Sequence, residues 1–308
     1  DFHLLIEIVH APVQLKHGRL VALLPPHAGE AKREARMGGG QAEESADDRL
    51  LTAVVVPDQT VTGGVRRDNV RVGDIDIAVL EKMLNETLAR VTGQKNTKDA
   101  WLSLVKPNDV IGLVPTDHLN PTHDEVVDVV KNSLMDAGIP EDRIRDAQGP
   151  RNAKKCDALI AIPGLKAHWL TGIGTVLKNY IMYSGSPSSY HRSNSFKLGE
   201  IWNLPFVKGK TKLVLVDSLY PLCDKGPQPD PRYQWNYNGF IAGTDPVAVE
   251  TVCLKIITEK RKVIRGEPWP LSPPPICVEA ADKVYGLGTS RMEQIQIQHY
   301  GWEHELLL

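Results

Sequence analysis

Lys166 and His168 stand two residues apart, just beyond an apolar run that reaches Leu165. In an extended segment that spacing sends both side chains to one side of the chain. An ammonium beside an imidazole suits an anionic or metal-linked ligand. The next residues, Thr171-Gly172-Ile173-Gly174-Thr175, predict the opening of a helix over 171–180 with Thr171 as its N-cap. Free amides and the helix dipole at such a start attract anions. Lys178 and Asn179 follow two turns along, placed to reach back or to cap. Histidines at 118, 123, 168 and 191 occupy the central region, with no H-E-x-x-H and no pair at diagnostic metal spacing. A divalent metal would therefore need ligands from separate loops, with His123, His168, His191 and Asp217 as the donor set. Asp245 joins Lys166, His168, Thr171, Lys178 and Asn179 as a candidate ligand-binding residue, and Asp245-Pro246 reads equally well as a helix N-cap followed by proline at N1.

Other chemistries lack their signatures. Gly209-Lys210-Thr211 imitates the end of a phosphate-binding loop, but Leu204 stands where the first glycine belongs and a strand follows. No G-x-S-x-G elbow is present. Cys156, Cys223, Cys253 and Cys277 are widely separated, so an iron–sulfur cluster, a zinc ribbon and haem are not expected.

Elements able to position these residues recur along the chain. Short apolar strands are predicted at 51–56, 109–115, 158–163, 212–216 and 240–243, and helices at 77–91, 123–137, 247–258 and 276–285. The alternation predicts an α/β fold, a doubly wound and mostly parallel sheet with helices on both faces. Ligands of such sheets bind outside the carboxyl ends of the strands. Four polar segments are expected there: Thr116-Asp117-His118, Lys166-Ala167-His168, Asp217-Ser218 and Thr244-Asp245. One cleft at that edge should be bordered by His123, His168, His191, Lys166 and Asp217.

The expected organisation is an N-terminal β-hairpin arm over 1–27, a flexible linker over 28–50 containing Gly38-Gly39-Gly40, and an α/β body over 51–308. With 36 basic and 38 acidic residues, net charge −2, there is no field for nucleic acid. No run of 18 apolar residues suggests a transmembrane segment. The partners to expect are a small anionic ligand or a protein docked through the arm, and self-association is open.

From Ala100 to Gln298 the ordered segments resemble the domain of unknown function 362 family, in the branch whose members commonly carry twin-arginine export signals. The matching pieces include Pro107-Asn108-Asp109-Val110-Ile111-Gly112, Thr122-His123, Leu165-Lys166-Ala167-His168, Thr175-Val176-Leu177-Lys178-Asn179 and His191. Val216-Asp217-Ser218-Leu219, Gly226-Pro227, Gly243-Thr244-Asp245-Pro246-Val247-Ala248-Val249 and Gly286-Leu287-Gly288 continue the series. The resemblance implies an α/β fold without a settled activity. It leads to two expectations: an exported protein that binds a small anion or metal cofactor, redox-associated or enzymatic, or a non-catalytic assembly subunit that keeps the fold. Export in the relatives and a first residue Asp1 rather than Met lead to an extracytoplasmic, periplasmic expectation, with the cytoplasm as its rival. Two departures stand out. Leu113-Val114-Pro115-Thr116 replaces the family's strand lysine and asparagine, and Glu250 replaces its aspartate.

Overall fold

The computed structural model describes residues 75–117, 119–301 and 306–308 in full, and the backbone alone of 4–10, 15–16, 19–20, 53–55, 61–65 and 72–74. The linker expected over 28–50, most of the 1–27 arm, His118 and His304 lie outside the described residues.

The main sheet runs in the order Leu4–His10, Ile295–Gly301, Ala53–Val55, Gly239–Gly243, Thr211–Leu222, Ala158–Ile162, Ile111–Pro115, Ile144–Asp146. Consecutive strands in this order are parallel, except that Gly239–Gly243 is antiparallel to both of its neighbours. The α/β class and the mostly parallel sheet follow the expectation. Period-two alternation explains why the sheet is covered twice. Ala158, Ile160, Ile162, Leu213 and Leu215 point to one core, where helices Ile77–Thr92, Thr97–Leu104 and Asp124–Asp136 pack. Leu159, Ala161, Val214 and Val216 point to the other, beneath Pro246–Arg265 and Ile276–Lys283. Each fully buried branched side chain contributes about 1.5–3 kcal/mol, so two continuous faces make a rigid platform.

The helix boundaries obey local chemistry. Asp76 accepts from the Ala78 and Val79 amides at the start of Ile77–Thr92, and Gly93 ends that helix at φ 69°. Asp245 caps Pro246–Arg265 in the same way, and Gly266 at φ 78° stops it. Among the described residues no helix is long and apolar enough to cross a membrane.

Three placements differ from expectation. The segment 171–180 is not one helix. Gly172–Ile173 is a strand antiparallel to Ala167-His168, and only the single turn Val176–Asn179 is helical. The cause is local: Gly172 at φ 78° reverses the chain, and the Thr171 hydroxyl donates to Ile173 O instead of capping a helix. Strand Thr211–Leu222 is longer than 212–216, so Asp217 and Ser218 lie within it. Thr244-Asp245 follows the antiparallel strand, which runs Gly243 back to Val214 and Gly239 to Ser218. That direction carries Asp245 to the sheet edge opposite the carboxyl ends of the parallel strands.

Candidate functional site

Strand Ala158–Ile162 ends at Pro163, whose missing N–H interrupts the ladder. The chain then resumes as Gly164–His168, parallel to the far half of Thr211–Leu222 with Gly164 opposite Asp217 and Lys166 opposite Leu222. This second strand carries Lys166 and His168 beyond the general edge of the sheet. A cavity of about 270 Å³ opens there, lined by Thr116, Gln148, Lys166, His168, Lys178 and His191 among others. Pro115, Asn179, Trp169 and Gln228 complete much of its wall.

Lys166 is almost wholly buried, and its Nζ donates to Asn120 O at 2.8 Å and Leu119 O at 3.1 Å. Leu119 and Asn120 both have positive φ, 54° and 65°, a backbone form that costs about 1 kcal/mol per residue. The ammonium and this tight turn therefore hold one another. Burial, reinforced by the Lys178 charge, brings the Lys166 pKa down to about 7, while Asp217 and Asp117 oppose the fall. Lys178 is lowered to about 8 by burial. Among the described residues neither lysine has a carboxylate ion-pair partner, and Lys178 Nζ has no hydrogen-bond acceptor.

Lys178 nevertheless sits on a firm mount. The amides of Val176 and Leu177 donate to the buried Glu250 carboxylate at 2.8 and 3.3 Å. The Asn179 side chain donates to Val114 O at 2.7 Å and accepts from Thr116 Oγ1 at 3.3 Å. Asn179 thus borders the cavity with its amide already committed to the neighbouring strand. Thr116 completes that link.

His168 is buried and stacks on His191, with ring centroids 5.4 Å apart and planes 14° from parallel. Its Nδ1 accepts from the Leu170 amide at 3.1 Å. Burial first, then the charges of Lys178, His191 and Lys166, lower its pKa to about 3, so the ring is neutral at pH 7. A neutral ring whose Nδ1 is an acceptor carries its proton on Nε2. His168 is therefore a hydrogen-bond donor to whatever it meets through that nitrogen. His191 is lowered by burial and by Lys178, against a hydrogen bond to Pro187 that raises it.

Gly174 makes this ring position available. A Cβ at 174 would lie 3.0 Å from His168 Cβ and 3.2 Å from its Cδ2. Gly174→Ala should therefore tilt the imidazole, cost about 1 kcal/mol of stability and weaken anion binding several-fold. Denaturant titration combined with a phosphate titration checks it, and an unchanged affinity would show that the ring orientation is immaterial.

The remaining expected residues divide differently. His123 and Asp217 form a pair of their own: Asp217 Oδ2 accepts from the His123 amide at 2.8 Å and lies 2.7 Å from its Nδ1. Burial would raise Asp217, but the charge, ring and backbone N–H of His123, with the Leu219 N–H, hold it below the usual carboxylate range. The pair staples the start of Asp124–Asp136 to the long strand and does not line the cavity. The four expected metal ligands thus stand as two pairs, and among the described residues no group of three or more His, Cys, Asp or Glu side chains gathers. Thr171 is fully buried under its own hairpin. Asp245 uses Oδ1 on Val247 and Ala248 and Oδ2 on Thr289, away from the cleft.

Gln148, Trp169, Met182 and Gln228 line the cavity without having been singled out. Trp169, 58% exposed beside His168, carried a readable signal, an aromatic residue in a polar turn next to a candidate ligand. Gln148 and Gln228 carried none, because their loops enter the cleft only through folding.

Comparison with curated proteins and with solved structures gave no match. Residues 104–255, which include the whole lining of the cavity, match the family model described as Domain of unknown function (DUF362).

Proposed function

We propose that this protein binds a small anionic molecule in the cleft beyond strands Ile111–Pro115 and Gly164–His168. The observation that carries this reading is the pair Lys166 and Lys178, two lysines facing one cavity with no carboxylate ion-pair partner among the described residues. Charges taken from water without a partner are costly, and an anion with several oxygens would offset that cost at both. The Nε2 proton of His168 adds a neutral donor on the same wall. A metal could enter with such an anion, since the cavity itself offers imidazoles but few free carboxylates.

Oxalate, phosphate and sulfate are the probes, followed by calorimetry and thermal unfolding of the whole chain. One anion of this set should bind saturably at a single site, and at about a hundred times its Kd it should stabilise the fold by about 2.7 kcal/mol. Its affinity should fall as pH rises through about 7 and then about 8, because the two lysines lose their charges there. Binding that is absent for all three anions at millimolar concentration, or that is insensitive to pH from 6 to 9, would overturn the proposal.

A further inference from the structure

The two lysines of the cleft are held differently. Lys166 Nζ is tied to two backbone carbonyls, so its position is fixed. Lys178 Nζ faces the same cavity with no hydrogen-bond or ion-pair partner among the described residues. Its backbone is immobilised on both sides, by Glu250 on the amides of Val176 and Leu177 and by the Asn179 side chain on Val114. Trp202 Nε1 further donates to Leu177 O at 3.0 Å. An untethered amine on a rigid mount, beside a tethered lysine and a neutral donor, is arranged as a nucleophile rather than as a structural charge.

We propose that Lys178 forms a Schiff base with the carbonyl group of a small anionic oxo compound, a 2-oxo acid or an aldehyde acid, whose carboxylate is seated by Lys166. This rests on the anion-binding reading of the same cleft. The Lys178 nitrogen lone pair forms a bond to the carbonyl carbon as the carbon–oxygen π bond opens. The resulting carbinolamine then loses its oxygen, which departs with both hydrogens of the original amine as water and leaves the imine. The reaction needs no oxidant or reductant. His168 Nε2–H is placed on the same wall to donate to the carbonyl oxygen and favour the attack. The burial that lowers Lys178 to about 8 keeps a usable fraction of its amine unprotonated at neutral pH.

Glyoxylate with cyanoborohydride tests this on the whole chain at pH 7, because reduction turns the imine into a stable secondary amine that peptide mapping locates. Lys178 should be modified at least about tenfold faster than the exposed Lys98 and Lys208, since burial lowers its pKa to about 8 and its mount holds it at the anion seat. Oxalate, which carries the charges without a reactive carbonyl, should slow that modification and leave Lys98 and Lys208 unaffected. If oxalate binds but Lys178 reacts no faster than the exposed lysines, the Schiff-base proposal falls and the anion seat stands. Fast modification of Lys178 that oxalate does not slow would instead overturn the seat, and with it the part given to Lys166. Lys178→Arg keeps the charge and lacks the nucleophile, so rapid labelling that persists elsewhere in the cleft of this variant would also refute the assignment.

Discussion

Replacing Lys166 by methionine is expected to weaken anion binding about a hundredfold or more while leaving the protein at least as stable as the wild type near pH 6. The two effects part because the fold itself disfavours the ammonium. Burial is the main cause that brings Lys166 from the ordinary 10.5 to about 7, and that difference corresponds to a penalty on the order of 5 kcal/mol on the charged form. Methionine removes the penalty and fills a similar volume. Leu119 O and Asn120 O lose their donor, at about 1 kcal/mol each. The balance favours the variant by on the order of 3 kcal/mol. The sign with pH is equally definite. Between about 7 and 10.5 the unfolded chain holds a proton on this lysine that the folded chain does not, so wild-type stability rises with pH across that window. The variant should lack that rise. Urea titrations at pH 6, 8 and 10 measure it, and a variant that is clearly less stable at pH 6 would make Lys166 a structural residue.

Glu250→Ala is expected to cost about 3 kcal/mol and to weaken anion binding with it. Glu250 is fully buried in helix Pro246–Arg265, and its carboxylate is the acceptor for two buried amides, Val176 and Leu177. Alanine leaves both amides unpaired and releases the turn on which Lys178 is mounted. Glu250→Asp should recover only part of the loss because the shorter chain cannot reach both amides. Burial, opposed by those two N–H groups, raises the Glu250 pKa to about 7. Its contribution is therefore complete below the ordinary carboxylate range near 4.5 and is lost as pH rises through about 7. Wild-type stability should fall across that interval, and the alanine variant should lose this component of the fall. A Glu250→Ala protein within 1 kcal/mol of wild type would remove the mount argued for Lys178.

The elements of this protein were legible in its sequence wherever one residue type dictates a local conformation. Asp76 and Gly93 bounded a helix correctly because a carboxylate reaching its own following amides, and a glycine at positive φ, are local events. Asp245-Pro246 opened another for the same reason. The pattern of buried strands and amphipathic helices was sufficient for the class of fold, and period two was sufficient to set Lys166 and His168 side by side in one strand. What was not local was not legible. The direction of strand Gly239–Gly243, which sends Asp245 to the far edge, depends on its pairing with strands distant in the chain. The hairpin at 167–173 overrode a sequence that reads as a helix start, because pairing with Ala167-His168 and the turn at Gly172 outweigh weak helix propensity around two glycines. Residue type alone also set no roles. Histidines 123, 168 and 191 look alike in sequence, yet Asp217 takes the first and the Leu170 amide fixes the tautomer of the second. Only tertiary structure decided which lysine is tied and which is free, because the acceptors of Lys166 lie 46 and 47 residues away, and Glu250 lies 73 and 74 residues from the Leu177 and Val176 amides that mount Lys178.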